Sequence, residues 1–154
     1  MKKLHMVLEL LYYLRIPYII RQVEKTLREL AIGSDCIWAL NVISHSWQSD
    51  CGISLEVSLP AVSVETVAHV VRCVHEKSST LTYEHCISLT ENSICAMMLV
   101  PLNSFIKMEL INFGIQWIRE TDACEQTAAR IVNNINIRQF TFECLVAFRS
   151  TLAQ

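Results

Sequence analysis

Glycine is scarce in this 154-residue chain: Gly33, Gly52 and Gly114 are the whole supply. Loops that cradle phosphate need several glycines at close spacing, because the backbone itself must approach the ligand. No G-x-x-x-x-G-K, G-x-G-x-x-G or G-x-S-x-G occurs, so the common nucleotide-binding and hydrolase signatures are absent. Charge is also short, with charged residues at 18% of the chain and a net charge of −2. Without a Lys/Arg cluster, that balance argues against binding nucleic acid through its phosphates.

Long uninterrupted apolar runs are missing too. The N-terminal stretch LHMVLELLYYLRIPYII is broken by Glu9, Arg15 and Pro17, and a membrane-spanning helix needs about 20 mostly apolar residues. Lys2 and Lys3 precede an apolar run, yet Glu9 interrupts it and no small-residue cleavage pattern follows. No C-x-x-C pair exists. The seven cysteines, at 36, 51, 73, 86, 95, 124 and 144, are odd in number and scattered. Such spacing does not make a disulfide framework, and points to a cytosolic or otherwise reducing compartment.

Apolar residues, in contrast, reach 52% of the chain. A surface so short of charge has trouble covering itself with polar groups, and burial of the surplus against another subunit or protein is the expected outcome. No repeat, low-complexity tract or linker divides residues 1–154, which are read as a single domain, with 102–154 as a candidate helical C-terminal extension.

The local patterns predict a helix over about 4–15, stopped by Pro17. A second runs from about Tyr18 to Ile32, with Ile19, Ile20, Val23, Leu27, Leu30 and Ala31 as its apolar stripe and Gly33 at the C′ position. CIWALNVI (36–43) reads as a strand apolar on both faces, and ISLEVSL (53–59) alternates as a half-exposed strand. Ser63 is placed to cap a helix over 64–77. LTYEHCISL (81–89) alternates again, and ICAMMLV (94–100) reads as a buried strand ended by Pro101. The expected fold is therefore α+β: an antiparallel sheet built from two hairpins with helices packed on one face, in the order α-β-β-α-β-β-α. NSFIKMELINFGIQWIRET, capped by Asn103, is read as a buried helix in preference to a strand pair turning near Gly114. Asp122 and Glu125 have capping-box spacing before a short helix, AARIVNNI. FTFECLVAF (140–148) fits strand and helix equally.

RCVHEKSSTLTYEHC (72–86) sets Cys73 and His75 against His85 and Cys86, the ligand types of a zinc site. Yet Cys73 and His75 lie about 160° apart on a helix, and on a strand His85 and Cys86 point to opposite faces. This geometry sends the two histidines to the core and the two cysteines outward, so four-way convergence fails. Two subsets remain: His75 and His85 as a hydrogen-bonded pair in the core, and His69 and Cys73, at i,i+4 on the outer face, as half of an interface site. No metal, no cofactor and no catalytic residue is assigned. Seven cysteines and five histidines allow any Cys–His pair to be nominated, so the nomination carries no information. Met97 and Met98 are read as core, and Trp38, Trp47 and Trp117 as packing anchors. Trp47, in the polar turn HSWQSD, is the one suited to an interface.

GISLEVSLPAVSVETVAHVVRCV (52–74) resembles the adenoviral early-region-4 open-reading-frame-3 type of regulatory protein. The likeness lies in a strand ending at an acidic or proline residue, then a helix that begins with valine and is rich in Val, Ala and His. The helix–hairpin–helix–hairpin order expected over 18–100 is similar to that family as well. The resemblance implies a small non-enzymatic viral early protein that dimerises through a β-rich core, assembles further in the host nucleus and captures host regulatory proteins. The expected partners are thus copies of itself and host proteins, with no nucleic acid and no membrane. Two rival expectations are a small cytosolic enzyme with a dispersed cysteine-dependent site and a metal-stabilised protein-binding module.

Overall fold

A computed structural model describes residues 6, 7, 10, 14, 16–33, 35–45, 62–80 and 82–152. These form eight α-helices and one 3-10 turn: α1 (Pro17–Ile32), α2 (Cys36–Ser44), α3 (Val64–Lys77), α4 (Tyr83–Ile87), α5 (Glu91–Leu99), α6 (Ser104–Glu120), α7 (Glu125–Asn133), the turn Ile137–Gln139, and α8 (Phe142–Leu152). No strand occurs among the described residues. The expected α+β fold with two hairpins is therefore replaced by an all-α architecture.

The correction falls on particular segments. CIWALNVI is helix α2, and ICAMMLV lies within or just beyond helix α5. LTYEHCISL holds only the short α4, while 53–59 lies outside the described residues. The physical reason is shared by the two long runs. In α2 every residue but Trp38 is buried, and in α5 the whole stretch Ser93–Met98 is buried. A helix buried all round shows no 3.6-residue periodicity, so its sequence cannot be told from a buried strand. In α4, Thr82 and His85 form a reciprocal capping box, a helix-start signal hidden beneath the alternating pattern.

The other helices follow their signals. Ser63 Oγ accepts from Thr66 N at 3.3 Å and Asn103 Oδ1 from Ile106 N at 2.9 Å, so both expected caps start α3 and α6. NSFIKMELINFGIQWIRET, read as a helix in preference to a strand pair, is helix α6. The ambiguous 140–148 enters α8. Asp122 does not cap α7: it sits at φ 49 in the preceding turn, and Cys124 occupies the N-cap position without a side-chain bond. Gly33 ends α1 in extended rather than left-handed backbone. The α1 carbonyls of Ala31 and Ile32 instead accept from Lys77 Nζ at 2.9 and 2.5 Å, so a cation from α3 caps α1.

α1, α2 and α3 pack on one another, α2 and α3 lean on α5 and α6 respectively, and α5 carries α6 and α7. The core runs through Leu27, Leu40, Val67, Val71, Ile94, Met97, Ile111 and Ile131. A polar seam crosses it. Asn41 Oδ1 accepts from Ser93 Oγ at 2.6 Å and Thr90 N at 3.1 Å, its Nδ2 donates to Ser88 O at 2.9 Å, and Ser44 Oγ meets Ser93 Oγ at 2.7 Å. Asn41 thereby fixes the α4–α5 junction against α2 and satisfies groups that burial would otherwise leave costly.

Candidate interaction groove

α6 presents Glu109, Phe113, Gln116 and Glu120 at i, i+4, i+7 and i+11, a spacing that puts all four on one face. The face spans roughly 16 Å at 1.5 Å per residue. Two adjoining cavities, about 300 and about 430 Å³, lie along it and share Ser78, Phe113 and Gln116 as lining. The end of α3 walls one end with Val74 and His75; Tyr83, Cys86 and Ile87 of α4 wall the other. Together they make a groove with an aromatic and aliphatic floor.

The groove stands where it does because α4 is too short to bury both its sides. Tyr83 is 56% and Ile87 40% exposed, and these two apolar side chains, one turn apart, face the cleft. Trp117 lines it half-buried, with its indole Nε1 shut off from solvent and without a hydrogen-bond partner among the described residues. Carboxylates mark both ends: Glu109 Oε2 bonds His75 Nε2, and Glu120 closes the far end. Neither cavity is lined by Lys or Arg.

The four residues of 72–86 singled out as zinc-ligand types are placed differently from the expectation. His75 is largely covered, its side chain 19% exposed, at the groove with Glu109, and His85 is exposed, its Nδ1 2.8 Å from Thr82 Oγ1 in the α4 cap. Neither histidine faces the core. Cys73 is buried because α3 is covered from several sides, and Cys86 is half-buried in the groove. Cys73 Sγ and His69 Nε2 do approach, at 3.7 Å, so that i,i+4 pair meets as a contact within one helix. No group of three or more His, Cys, Asp or Glu side chains is arranged to hold a metal ion among the described residues.

The thiols lack activation where a cleft exists. Burial raises the pKa of Cys86 above the ordinary thiol value, and burial followed by Glu76 does the same for Cys73. Cys95 is pushed up to about 11 by burial. A thiol held protonated is a poor nucleophile. Cys124 is the exception: its hydroxyl neighbour Thr127 lowers its pKa, but it stands on an exposed turn away from the groove.

A second exposed apolar feature lies on α8. Phe142 is 76%, Leu145 39% and Val146 53% exposed, at i, i+3 and i+4 on one face. Phe148, from the other side of the helix, packs toward the core beside Phe140, their ring centroids 6.0 Å apart. Sequence reading located Phe142 and Val146 within FTFECLVAF, but could not separate the inward from the outward face while helix and strand both fitted. Trp47, read as a loop anchor with an interface role as the alternative, lies outside the described residues.

No protein-family model, curated protein or solved structure matches this chain. The β-rich core implied by the early-region-4 resemblance is not the fold of the described residues. No described helix is long and apolar enough to cross a membrane.

Proposed function

We propose that this chain is a non-enzymatic protein that works by association, with copies of itself and with other proteins. The observation that carries the reading is the outer face of α8. Three large apolar side chains stand in solvent on a helix whose opposite face is already packed. An apolar side chain held at the surface of an ordered helix gains about 1.5–3 kcal/mol when a partner buries it fully. The apolar groove along α6 supports the same reading, as does a composition rich in apolar and poor in charged residues. The raised pKa of Cys86, the cysteine that lines the cleft, weighs against a cysteine nucleophile there.

The finer expectation, a viral regulatory protein that gathers host regulatory proteins in the host nucleus, rests on the resemblance over 52–74 alone. Association does not depend on it. Light scattering across a concentration series tests the general reading: the mass should rise above the 17.6 kDa monomer as concentration increases. A chain that stays strictly monomeric would overturn self-association.

A further inference from the structure

The groove along α6 and the outer face of α8 are different surfaces with matching chemistry. The groove gathers its apolar side chains, Tyr83, Ile87, Phe113 and Trp117, toward the α4 end beside Glu120, has Ser78 and Gln116 at its middle, and carries Glu109, bonded to His75, at the other end. The α8 face is apolar at Phe142, Leu145 and Val146, carries Arg149 one turn beyond, and follows the exposed Arg138. No residue of α8 lines the groove. We propose that α8 of one copy docks into the α4–α6 groove of another, so that the chain assembles head to tail.

Size, polarity and charge favour this occupant. From Phe142 to Arg149 the helix runs about 10 Å, which fits a groove of roughly 16 Å. Apolar anchors at i, i+3 and i+4 are what a helix-in-groove contact requires. Phe142 meets the Phe113–Trp117 floor between Tyr83 and Ile87, and Arg149 meets a terminal glutamate. Glu143 lies about 100° round α8 from Phe142 and about 60° from Val146, so it stands at the margin of the docking face, on the side away from Leu145 and Arg149. Because donor and acceptor surfaces differ, the contact is heterologous: each docked copy still offers an empty groove or a free α8. Assembly then continues to a ring or an open chain. A contact with three apolar anchors belongs with small interfaces of less than about 1,200 Å², and a dissociation constant in the micromolar range follows. Repetition along an assembly would raise the avidity.

This proposal rests on the associative reading above, and its test separates the two. One variant, Phe142→Asp/Val146→Asp, removes the docking face; another, Tyr83→Asp/Ile87→Asp, spoils the groove rim. All four positions are exposed, so circular dichroism and thermal midpoint should match wild type. Mass is followed by sedimentation or light scattering from about 1 μM to about 1 mM, the range that brackets a micromolar constant. Wild type should form species larger than dimers, and each variant alone should stay monomeric. An equimolar mixture of the two should form a 1:1 pair and stop there, since one copy supplies only a groove and the other only an α8 face. Arg149→Glu should weaken assembly at least fivefold, and Glu120→Arg in the groove-bearing copy should restore it. If wild type assembles and either double variant assembles equally well, or if the mixture stays monomeric, head-to-tail docking is wrong while association stands. A wild-type chain that stays monomeric throughout overturns head-to-tail docking and self-association together.

Discussion

The Nζ of Lys107 lies 2.7 Å from the carbonyl oxygen of Val100 and 3.3 Å from that of Met97, with its side chain wholly buried. A lysine of α6 thus closes the C-terminal end of α5, just where Pro101 prevents the helix from continuing. Burial pushes its pKa down to about 7 from the ordinary 10.5.

Stability should therefore depend on pH through Lys107. Above pH 7 the unfolded chain holds a proton that the folded chain has shed, so folding stability rises with pH through this window. The slope approaches at most about 1.4 kcal/mol per pH unit. From pH 9 the raised thiol of Cys95 acts in the opposite sense, because the folded state then keeps the proton that the unfolded state loses. Cys124, with its lowered pKa, adds to the rise below pH 9 in any variant that keeps it, so urea denaturation between pH 7 and 9 reads the lysine contribution as the difference between wild type and Lys107→Met. Lys107→Met should flatten that slope; an unchanged slope would show that Lys107 is not its source.

Asn41→Ala should destabilise the protein by about 2 kcal/mol, the cost of depriving the buried Ser93 hydroxyl of a partner and of breaking two bonds to the more exposed Ser88 and Thr90. Ser93 Oγ, Thr90 N and Ser88 O all lose a partner in this single change. Ser44→Ala removes one bond from the same seam and should cost about 1 kcal/mol. Equal losses in denaturant midpoint for the two variants would mean that Asn41 does not organise the seam.

Gly114 lets α6 pass close to Met98 and Ile94 of α5. A Cβ at that position would stand 2.8 Å from Met98 Cε. That atom ends a flexible thioether, which can swing aside at a cost similar to the helix propensity gained from alanine. Gly114→Ala should change stability by less than about 1 kcal/mol, whereas Gly114→Leu should lose about 2–3 kcal/mol by overpacking. Thermal melts of the two variants decide this directly.

Alkylation by iodoacetamide should rank the six cysteines whose positions are described. Cys124, exposed and with a lowered pKa, should react first. Cys86 and Cys144, both half-buried, should react more slowly, and Cys36, Cys73 and Cys95 only at the rate of unfolding. Peptide mass spectrometry over time reads the order. Rapid labelling of Cys86 at neutral pH would revive the cysteine-dependent enzyme as a rival.

Legibility in the sequence followed solvent contrast. The helix over 18–32 could be read because Leu27 and Ala31 face the core while Arg21, Lys25 and Glu29 face water. Ser63 and Asn103 were readable because capping is a local bond. CIWALNVI and ICAMMLV offered no contrast, since both lie in the centre and are wetted on almost no side. One signal against the hairpins was present: the turn before ICAMMLV, TEN, holds no glycine, whereas tight two-residue hairpin turns favour glycine strongly. The same scarcity of glycine that removed phosphate loops also spoke for helices.

The sequence by itself determined the apolar surplus, the weak charge and the helix starts at Ser63 and Asn103, because composition and capping act over a few residues. Tertiary structure decided the rest. It made helices of two apolar runs by surrounding them. It turned Cys73 inward and His85 outward, replaced Gly33 by Lys77 as the cap of α1, and drew Lys107 beneath α5. It also opened the groove along α6, whose lining joins residues 74 to 120. Each of these depends on which distant side chains exclude water from a given atom, and exclusion of water is set by packing among helices, beyond the reach of neighbouring residues alone.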